Sequence, residues 1–275
     1  MEILYIVLAI IIVLIVFAII YNIWDNRRIK VTKITKEIKG KNENGIGSEV
    51  TICHISDFHD CNTYGKDDKI IRILEKNKPD LIFCTGDFMD FRKNNLELSI
   101  SFMRKLTNII DSDKIYYVSG NHEARMKMCS DKKKNEMIKK FWEELEKLGW
   151  DIGVAWQDGK MFGHPYGIRM NLGVKLRIMG VRDFQEDYPK YIQKGTKYEH
   201  LIGNDKRPLL IIMIAKDRYR ELNAKILKES LRKIENPKDE NIVLLLSHRP
   251  EFVPEYTEER KSRFCIYRTC TWWAI

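Results

Sequence analysis

Acidic, imidazole and amide side chains follow four short apolar segments of this chain. Carboxylates, imidazoles and a carboxamide are ligands for hard or borderline divalent metals such as Mn, Fe or Zn. A metal site is therefore predicted wherever the fold brings the ends of these four segments together. The side chains concerned are Asp57, His59, Asp87, Asp90, Asn121, His122, Glu123 and His248.

Each of these residues taken alone has a simpler explanation. Asp57, Asp87 and Asn121 are also good helix caps and turn formers, and a lone histidine is more often a surface or core residue. Their joint order is informative, because D-x-H, GD-x-x-D, GNHE and SHRPE each follow a separate apolar segment. That order favours one shared site over four coincidences.

The elements that must position these motifs alternate between strand and helix. Strands are predicted at 50–56, 80–85, 115–119, 174–181 and 241–247, and helices at 69–76, 96–110, 132–148 and 219–234. This alternation indicates an α/β domain with a largely buried sheet. Ligand sites in such domains lie at the carboxyl edge of the sheet, where the motifs fall. A glycine before Asp87 and before Asn121 permits a tight turn and a close approach of the backbone to bound metal ions.

The motif order resembles the calcineurin-like metallophosphoesterase family over about residues 50–251. The resemblance implies a four-layer sandwich of two mixed β-sheets flanked by helices, with two divalent metal ions (Mn, Fe or Zn) as cofactors. It implies hydrolysis of phosphodiesters or phosphomonoesters by a hydroxide formed on the metals. A single apolar segment ahead of the domain further resembles the membrane-anchored bacterial members.

The same resemblance assigns five metal ligands. Asp57 and His59 would bind one ion, and Asn121 and His248 would bind the second. Asp87 would bridge both ions.

Three further residues receive supporting roles from the resemblance. His122 would donate a proton to the leaving group. Asp90 and Glu123 would hold the ligands in place from behind, as metal ligands generally require.

One family motif is missing from the chain. Members close with Gly-His-x-His, which completes the ligand shells of both ions, but no histidine follows His248. One allowed coding of the tail from Arg263, read one base later, gives Asp-Phe-Val-Phe-Thr-Gly-His-Ala-His-Gly-Gly-Gln. The adjacent Trp272 and Trp273 force the Gly-Gly pair, because tryptophan has a single codon.

We therefore expect a frameshift near Arg260 and Lys261, whether a sequencing error, a decayed gene or a slippage switch. The alternative is a genuine divergent C-terminus. The domain as written would be C-terminally incomplete, without its last strands, and weakened or inactive. Its expected bounds are 49–257, followed by an out-of-frame tail at 258–275.

The N-terminus carries an apolar segment that could cross a bilayer. No charge occurs from Ile3 to Tyr21, 19 residues in all, close to the length that a membrane helix needs. A buried core helix is rarely apolar on every face, and a signal peptide would have a basic start and a small-residue cleavage site. We expect an uncleaved single-pass anchor over residues 1–24.

A basic linker, residues 25–48, follows the anchor. Seven basic and two acidic residues lie between Asp25 and Lys41. Such flanking charge favours the cytoplasmic side and attracts anionic lipid headgroups. We thus expect a membrane protein whose catalytic domain faces the cytoplasm, with membrane lipid as a partner of the anchor and linker.

Composition limits the classes of protein to which the chain can belong. The chain has 275 residues, a net charge of +9 and 44% apolar residues, which excludes a mostly disordered chain. Six cysteines are too few for a disulfide scaffold.

The substrate is expected to be a phosphoester, lipid-linked or envelope-derived because of the anchor. A non-catalytic pseudoenzyme or gene fragment is the alternative, and no nucleic-acid partner is expected.

Overall fold

The computed structural model describes residues 2–36, 49–61, 65–152, 155–157, 160–162, 176–183, 185, 188, 220–229, 231–232, 242–260 and 264–267. The helices are α1 (Glu2–Asn26), α2 (Lys66–Asn77), α3 (Glu97–Thr107), α4 (Asn121–Met128), α5 (Lys132–Leu148), α6 (220–229) and α7 (Val253–Arg260). The strands are β1 (Ile52–Ile55), β2 (Leu81–Thr85), β3 (Ile115–Val118), β4 (Asp151–Ile152), β5 (Ala155–Gln157), β6 (Lys160–Phe162), β7 (Leu176–Val181), β8 (Ile242–Ser247) and β9 (Phe264–Tyr267).

These strands form two parallel sheets and one antiparallel pair. The first sheet has the order β1-β2-β3-β4 and the second has the order β7-β8-β9, while β5 pairs with β6. The predicted α/β class is confirmed. The sequence predicted mixed sheets, but every described pairing in the two larger sheets is parallel.

Helix α5 shows why the sequence predicted its bounds correctly. Met137, Phe141 and Leu145 are buried on one face, at the spacing of successive helical turns. Asp131 caps the start by accepting a hydrogen bond from the Lys133 amide at 2.9 Å. Gly149 ends the helix with φ of 70°, a conformation that glycine adopts without strain.

The two larger sheets contact each other through a cluster of buried apolar side chains. Phe83 and Tyr116 come from the first sheet, and Ile178 and Leu246 come from the second. A second cluster packs α3 and α5 on the outer face of the first sheet. A third packs α6 and α7 on the outer face of the second.

Strand β9 corrects one expectation for the tail. The frameshift hypothesis implies a domain without its last strands. Residues Phe264–Tyr267 instead pair in parallel with β8, from Leu244↔Phe264 to Ser247↔Tyr267. The segment forms a strand because Phe, Ile and Tyr all favour a pleated surface.

Helix α1 is long and apolar enough to cross a membrane, by length and composition alone. Its side chains are exposed along its described length, so it is not the buried core helix considered as the alternative. The predicted bounds of the anchor, the linker, the phosphoesterase domain and the out-of-frame tail stay predictions.

Truncation of Phe83 tests the contact between the two sheets. This side chain is fully buried and its ring centroid lies 5.7 Å from that of Tyr116. Phe83→Ala is expected to lower the free energy of unfolding by about 3–5 kcal/mol. Leu98→Ala on α3, at a side chain that is 38% exposed, should change it by about 0.5 kcal/mol or less. Equal thermal shifts for the two detergent-solubilised variants would contradict the packing described.

Candidate metal centre

The loops after β1 and β2 run side by side at the carboxyl edge of the first sheet. The amide of Asp57 donates to the carbonyl of Gly86 at 3.1 Å, and the amide of His59 donates to the carbonyl of Asp87 at 2.9 Å. These bonds extend the parallel pairing beyond the strands. They place the side chains of Asp57, His59 and Asp87 next to one another.

Four residues of these loops, Asp57, His59, Asp60 and Asp87, have left-handed backbones, and three of them are candidate ligands. Asp57, His59 and Asp87 have φ of 60°, 53° and 54°, a region that L-residues other than glycine seldom adopt. Such conformations cost about 1–3 kcal/mol each and cluster at functional sites. The surrounding loop contacts hold the three residues in them.

Two glycines allow the loops after β2 and β3 to touch. A Cβ on Gly86 would lie 2.2 Å from the amide nitrogen of Gly120, and a Cβ on Gly120 would lie 2.3 Å from Asp87 Oδ1. Real Cβ atoms do not approach other atoms so closely. The two glycines therefore allow a contact between the loops, and the approach of the same backbone to metal ions stays a prediction.

Glu123 ties the same loops together through its carboxylate. It is 1% exposed and accepts hydrogen bonds from the amides of Asp87 (2.9 Å), Met89 (3.0 Å) and Gly120 (2.9 Å). Burial, and next the nearby charge of Asp87, raise the pKa of Glu123 to about 7. The three amide donors favour the charged carboxylate and oppose that rise.

All five predicted ligand residues meet at this edge. His59 Nε2 lies 3.4 Å from Asp57 Oδ1 and 3.9 Å from Asp87 Oδ2. On the other side, His248 Nε2 lies 3.1 Å from Asp87 Oδ2 and 3.2 Å from Asn121 Oδ1. Asp87 therefore lies between two sets of donor atoms.

Two triplets of these side chains have ligand atoms within 4.8 Å of one another: His59, Asp87 and His122, and Asp57, Asp87 and His248. Asp87 belongs to both triplets, as a residue that bridges two ions must. The Nδ1 atom of His59 is buried and makes no hydrogen bond within the part of the chain that the structure describes. Carboxylate, imidazole and amide donors in this arrangement fit two divalent ions.

His248 is oriented as a metal ligand. Its Nδ1 lies 2.6 Å from the carbonyl oxygen of Thr85, which can only accept, so Nδ1 carries a proton. In the neutral ring, Nε2 then has a free electron pair directed at Asp87 and Asn121. Metal-binding histidines commonly use such a backbone carbonyl to fix the ring.

His122 is oriented in the opposite sense. The amide of Phe91 donates to its Nδ1 at 2.9 Å, so the proton of the neutral ring is on Nε2. Asp90 Oδ1 lies 3.3 Å from the same Nδ1. Burial lowers the pKa of His122 to about 4, against the opposing charge of Asp87. His122 thus presents an N–H group, not an electron pair, to the site.

Asp87 and His248 determine each other's protonation. Burial alone would raise the pKa of Asp87, but its hydrogen bond with His248 outweighs burial and holds that pKa well below its usual range. Burial likewise lowers the pKa of His248, and Asp87 outweighs it and raises the pKa to about 9. A metal ion at this position would take the place of the imidazolium proton.

Sequence reasoning missed a buried ion pair behind His248. Arg249 Nε lies 2.5 Å from Asp183 Oδ2, and Asp183 is 1% exposed. The hydroxyl of Tyr256 donates to the carbonyl of Arg249 at 3.0 Å. These contacts fix the backbone next to His248. The available signal was that Asp183 follows the predicted strand at 174–181.

Substitution of Gly120 tests the close approach of the loops. The methyl group of Gly120→Ala would displace Asp87, so Mn²⁺ binding by calorimetry should weaken by about 10–100-fold, as for other residues that position ligands. The matched control is Gly65→Ala, since Gly65 has φ of +64° but nothing within 4 Å of its Cβ position. Gly65→Ala should cost stability and leave Mn²⁺ affinity unchanged. Equal Mn²⁺ affinity in both variants would contradict the role assigned to the contact.

Comparison with known proteins agrees with this geometry. A search of curated proteins found no match to the chain. The family description "Calcineurin-like phosphoesterase" matches residues 50–271, a span that includes both parallel sheets and every residue of the candidate site. The chain belongs to the calcineurin-like phosphoesterase family.

Proposed function

We propose that the protein is a membrane-anchored hydrolase that cleaves phosphoester bonds with two divalent cations. Family membership implies metal-dependent phosphoester hydrolysis. The observation that carries the proposal for this chain is the place of Asp87 between His59 with Asp57 on one side and His248 with Asn121 on the other. Asp57 and His59 would hold one cation with Asp87, and Asn121 and His248 would hold the other.

Bound cations of the Mn, Fe or Zn type would activate a water molecule and neutralise charge on the phosphoryl oxygens. His122 lies beside this centre, with its ring centroid 4.5 Å from that of His59. Its Nε2–H group can donate toward the leaving oxygen as negative charge develops there. The amide of Phe91 holds the ring, and Asp90, whose carboxylate accepts hydrogen bonds from Arg92, lies beside it. Glu123 holds the two loops that carry Asp87 and Asn121.

The same proposal includes the order of the layers, the membrane anchor, the side of the membrane that the domain faces, and the substrate. The three apolar clusters support a four-layer order of helices, sheet, sheet and helices. The length and apolar character of α1 support a single-pass anchor. The basic linker supports a cytoplasmic catalytic domain, and the anchor favours a lipid-linked or envelope-derived phosphoester as substrate.

The tail is proposed to be out of frame. In the shifted reading the strand sequence Phe-Val-Phe-Thr replaces Phe264–Tyr267, and the two histidines fall at the positions of Thr269 and Thr271. Because β9 is parallel to β8, with Tyr267 opposite Ser247, the carboxyl end of β9 lies at the same sheet edge as His248. Those positions lie outside the described residues, whereas the family match continues through residue 271.

A non-catalytic anchored pseudoenzyme is the second candidate. The observation in its favour is that no histidine follows His248 in the chain as written. Each proposed ion would then lack one imidazole.

Replacement of the tail separates these two candidates. The experiment compares the full chain as written with a chain whose tail from Arg263 is replaced by Asp-Phe-Val-Phe-Thr-Gly-His-Ala-His-Gly-Gly-Gln. The replaced form should bind Mn²⁺ more tightly and hydrolyse bis(p-nitrophenyl) phosphate, with activity lost in chelator and restored by Mn²⁺. Equal Mn²⁺ affinity of the two forms would contradict the frameshift. Absence of metal-dependent hydrolysis from both would favour the pseudoenzyme.

Asp87→Asn tests the residue on which both ions depend. In the tail-replaced chain it should abolish measurable hydrolysis and weaken Mn²⁺ binding, because one bridging carboxylate is lost. Lys139→Gln on α5 is the control, since this side chain is 79% exposed and belongs to no part of the site. Retention of Mn²⁺-dependent turnover by Asp87→Asn would refute the shared-ligand arrangement.

The two histidines should separate binding from chemistry. His122→Gln should keep Mn²⁺ affinity and lower kcat by about 10²–10⁴-fold, the usual contribution of a positioned proton donor. His248→Gln should instead lose Mn²⁺ affinity. Calorimetry with Mn²⁺ and turnover of bis(p-nitrophenyl) phosphate measure the two quantities. Loss of Mn²⁺ affinity in His122→Gln would show that His122 is a ligand.

A further inference from the structure

The basic linker and helix α2 together form a groove on the side of the catalytic domain next to α1. Its volume is about 660 Å³, and its cationic lining residues are Arg27, Arg28, Lys33, Lys69, Arg72 and Lys76. Half of these cations come from the linker and half from α2. We propose that this groove binds the phosphate groups of anionic phospholipids at the membrane surface.

The linker is joined to α2 by a specific contact. The Lys69 ammonium group donates to the carbonyl oxygen of Arg27 at 3.0 Å. Ile29 is half-buried and lines the same groove as Ile73 of α2. The cations of the linker and of α2 are therefore held on one surface.

Aromatic residues place the groove at the depth of lipid headgroups. Tyr21 and Trp24 lie in the last turns of α1, with ring centroids 5.9 Å apart, and such residues mark the boundary between membrane and water. The Arg28 guanidinium carbon lies 4.6 Å from the centroid of the Trp24 ring. Arg27 and Arg28 therefore lie at the depth of the phosphate groups of an anionic leaflet.

The chemistry of the lining favours lipid over nucleic acid. None of the residues that line the groove in the described part of the chain is acidic or aromatic. Single-stranded nucleic acids are bound with aromatic platforms for their bases. Ile29, Val31 and Ile73 instead add apolar surface beside the cations, which suits the glycerol and upper acyl region of a lipid.

Lipid binding would also orient the domain. Helix α2 starts after the loop that carries Asp57 and His59 and ends just before β2 begins. Its later turns, with Arg72 and Lys76, therefore lie toward the amino ends of the strands. The sheet edge that carries the candidate ligands is at the other end, so this orientation disfavours the lipid-linked alternative of the two proposed substrates.

Lysine accessibility in nanodiscs tests the groove. This inference rests on the proposed anchor, so the full chain is reconstituted in discs of phosphatidylcholine, with or without phosphatidylglycerol. A brief treatment with a neutral acetylating reagent is read by mass spectrometry. In anionic discs, acetylation of Lys33 and Lys76 should slow by on the order of tenfold relative to neutral discs, and Lys139 should not change. High salt should remove the effect.

The Lys69→Gln variant tests whether the linker and α2 bind lipid together or the linker binds lipid by itself. Loss of the bond to Arg27 should reduce the protection of Lys76 and preserve that of Lys33. Lys139→Gln should change neither lysine.

Three results would overturn the proposal. Equal acetylation of Lys76 in neutral and anionic discs would overturn the proposed lipid site in the groove and would leave the proposed anchor unaffected. Equal protection of Lys76 in neutral discs by inorganic phosphate or by a short single-stranded oligonucleotide would show an unspecific anion site. Failure of the chain to enter discs would overturn both the anchor and the groove, whereas absence of phosphoesterase activity would bear only on the proposed function.

Discussion

The buried carboxylate of Glu123 is the interaction on which the rest of the site depends. It accepts three amide hydrogen bonds from the loops after β2 and β3, which carry Asp87 and Asn121. A buried carboxylate is costly unless it is fully hydrogen-bonded, and the three donors meet that need. In return, the loops cannot separate without leaving the charge unsatisfied. The two glycines complete the contact, since neither tolerates a side chain at this distance.

Backbone groups also assign different chemistry to the buried imidazole of His248 and the half-buried imidazole of His122. A carbonyl oxygen faces Nδ1 of His248 and an amide proton faces Nδ1 of His122. The opposite nitrogen is consequently an electron-pair donor in the first ring and an N–H donor in the second. Distance alone would count both rings as ligands. Their tautomers distinguish them, and the tautomers follow from the ends of β2 and its loop.

Sequence patterns predicted the α/β class, α5 and the ligand cluster because those features depend on local spacing and strand order. Parallel strands of one sheet deliver their carboxyl ends to one edge, so Asp57, Asp87 and Asn121 had to meet. His248 follows β8 of the second sheet and joins them because the two sheets pack against each other. The pair between Asp183 and Arg249 was missed because it joins residues 66 positions apart without a shared motif. Strand β9 was missed because we gave more weight to the unusual composition of the tail than to its short β-prone segment. The groove joins the linker to α2 over 42 positions, which no local pattern reports.

The left-handed backbones of Asp57, His59 and Asp87 oppose selection for stability to selection for the proposed metal ligands. Glycine at any of the three would relieve about 1–3 kcal/mol of steric strain. A library of variants selected only for thermal stability or soluble yield would therefore enrich glycine at these positions. The carboxylate and imidazole groups would be lost. Engineering of this scaffold therefore needs a metal-binding measurement beside a thermal-stability measurement, because stability and the proposed metal ligation compete at the same three residues.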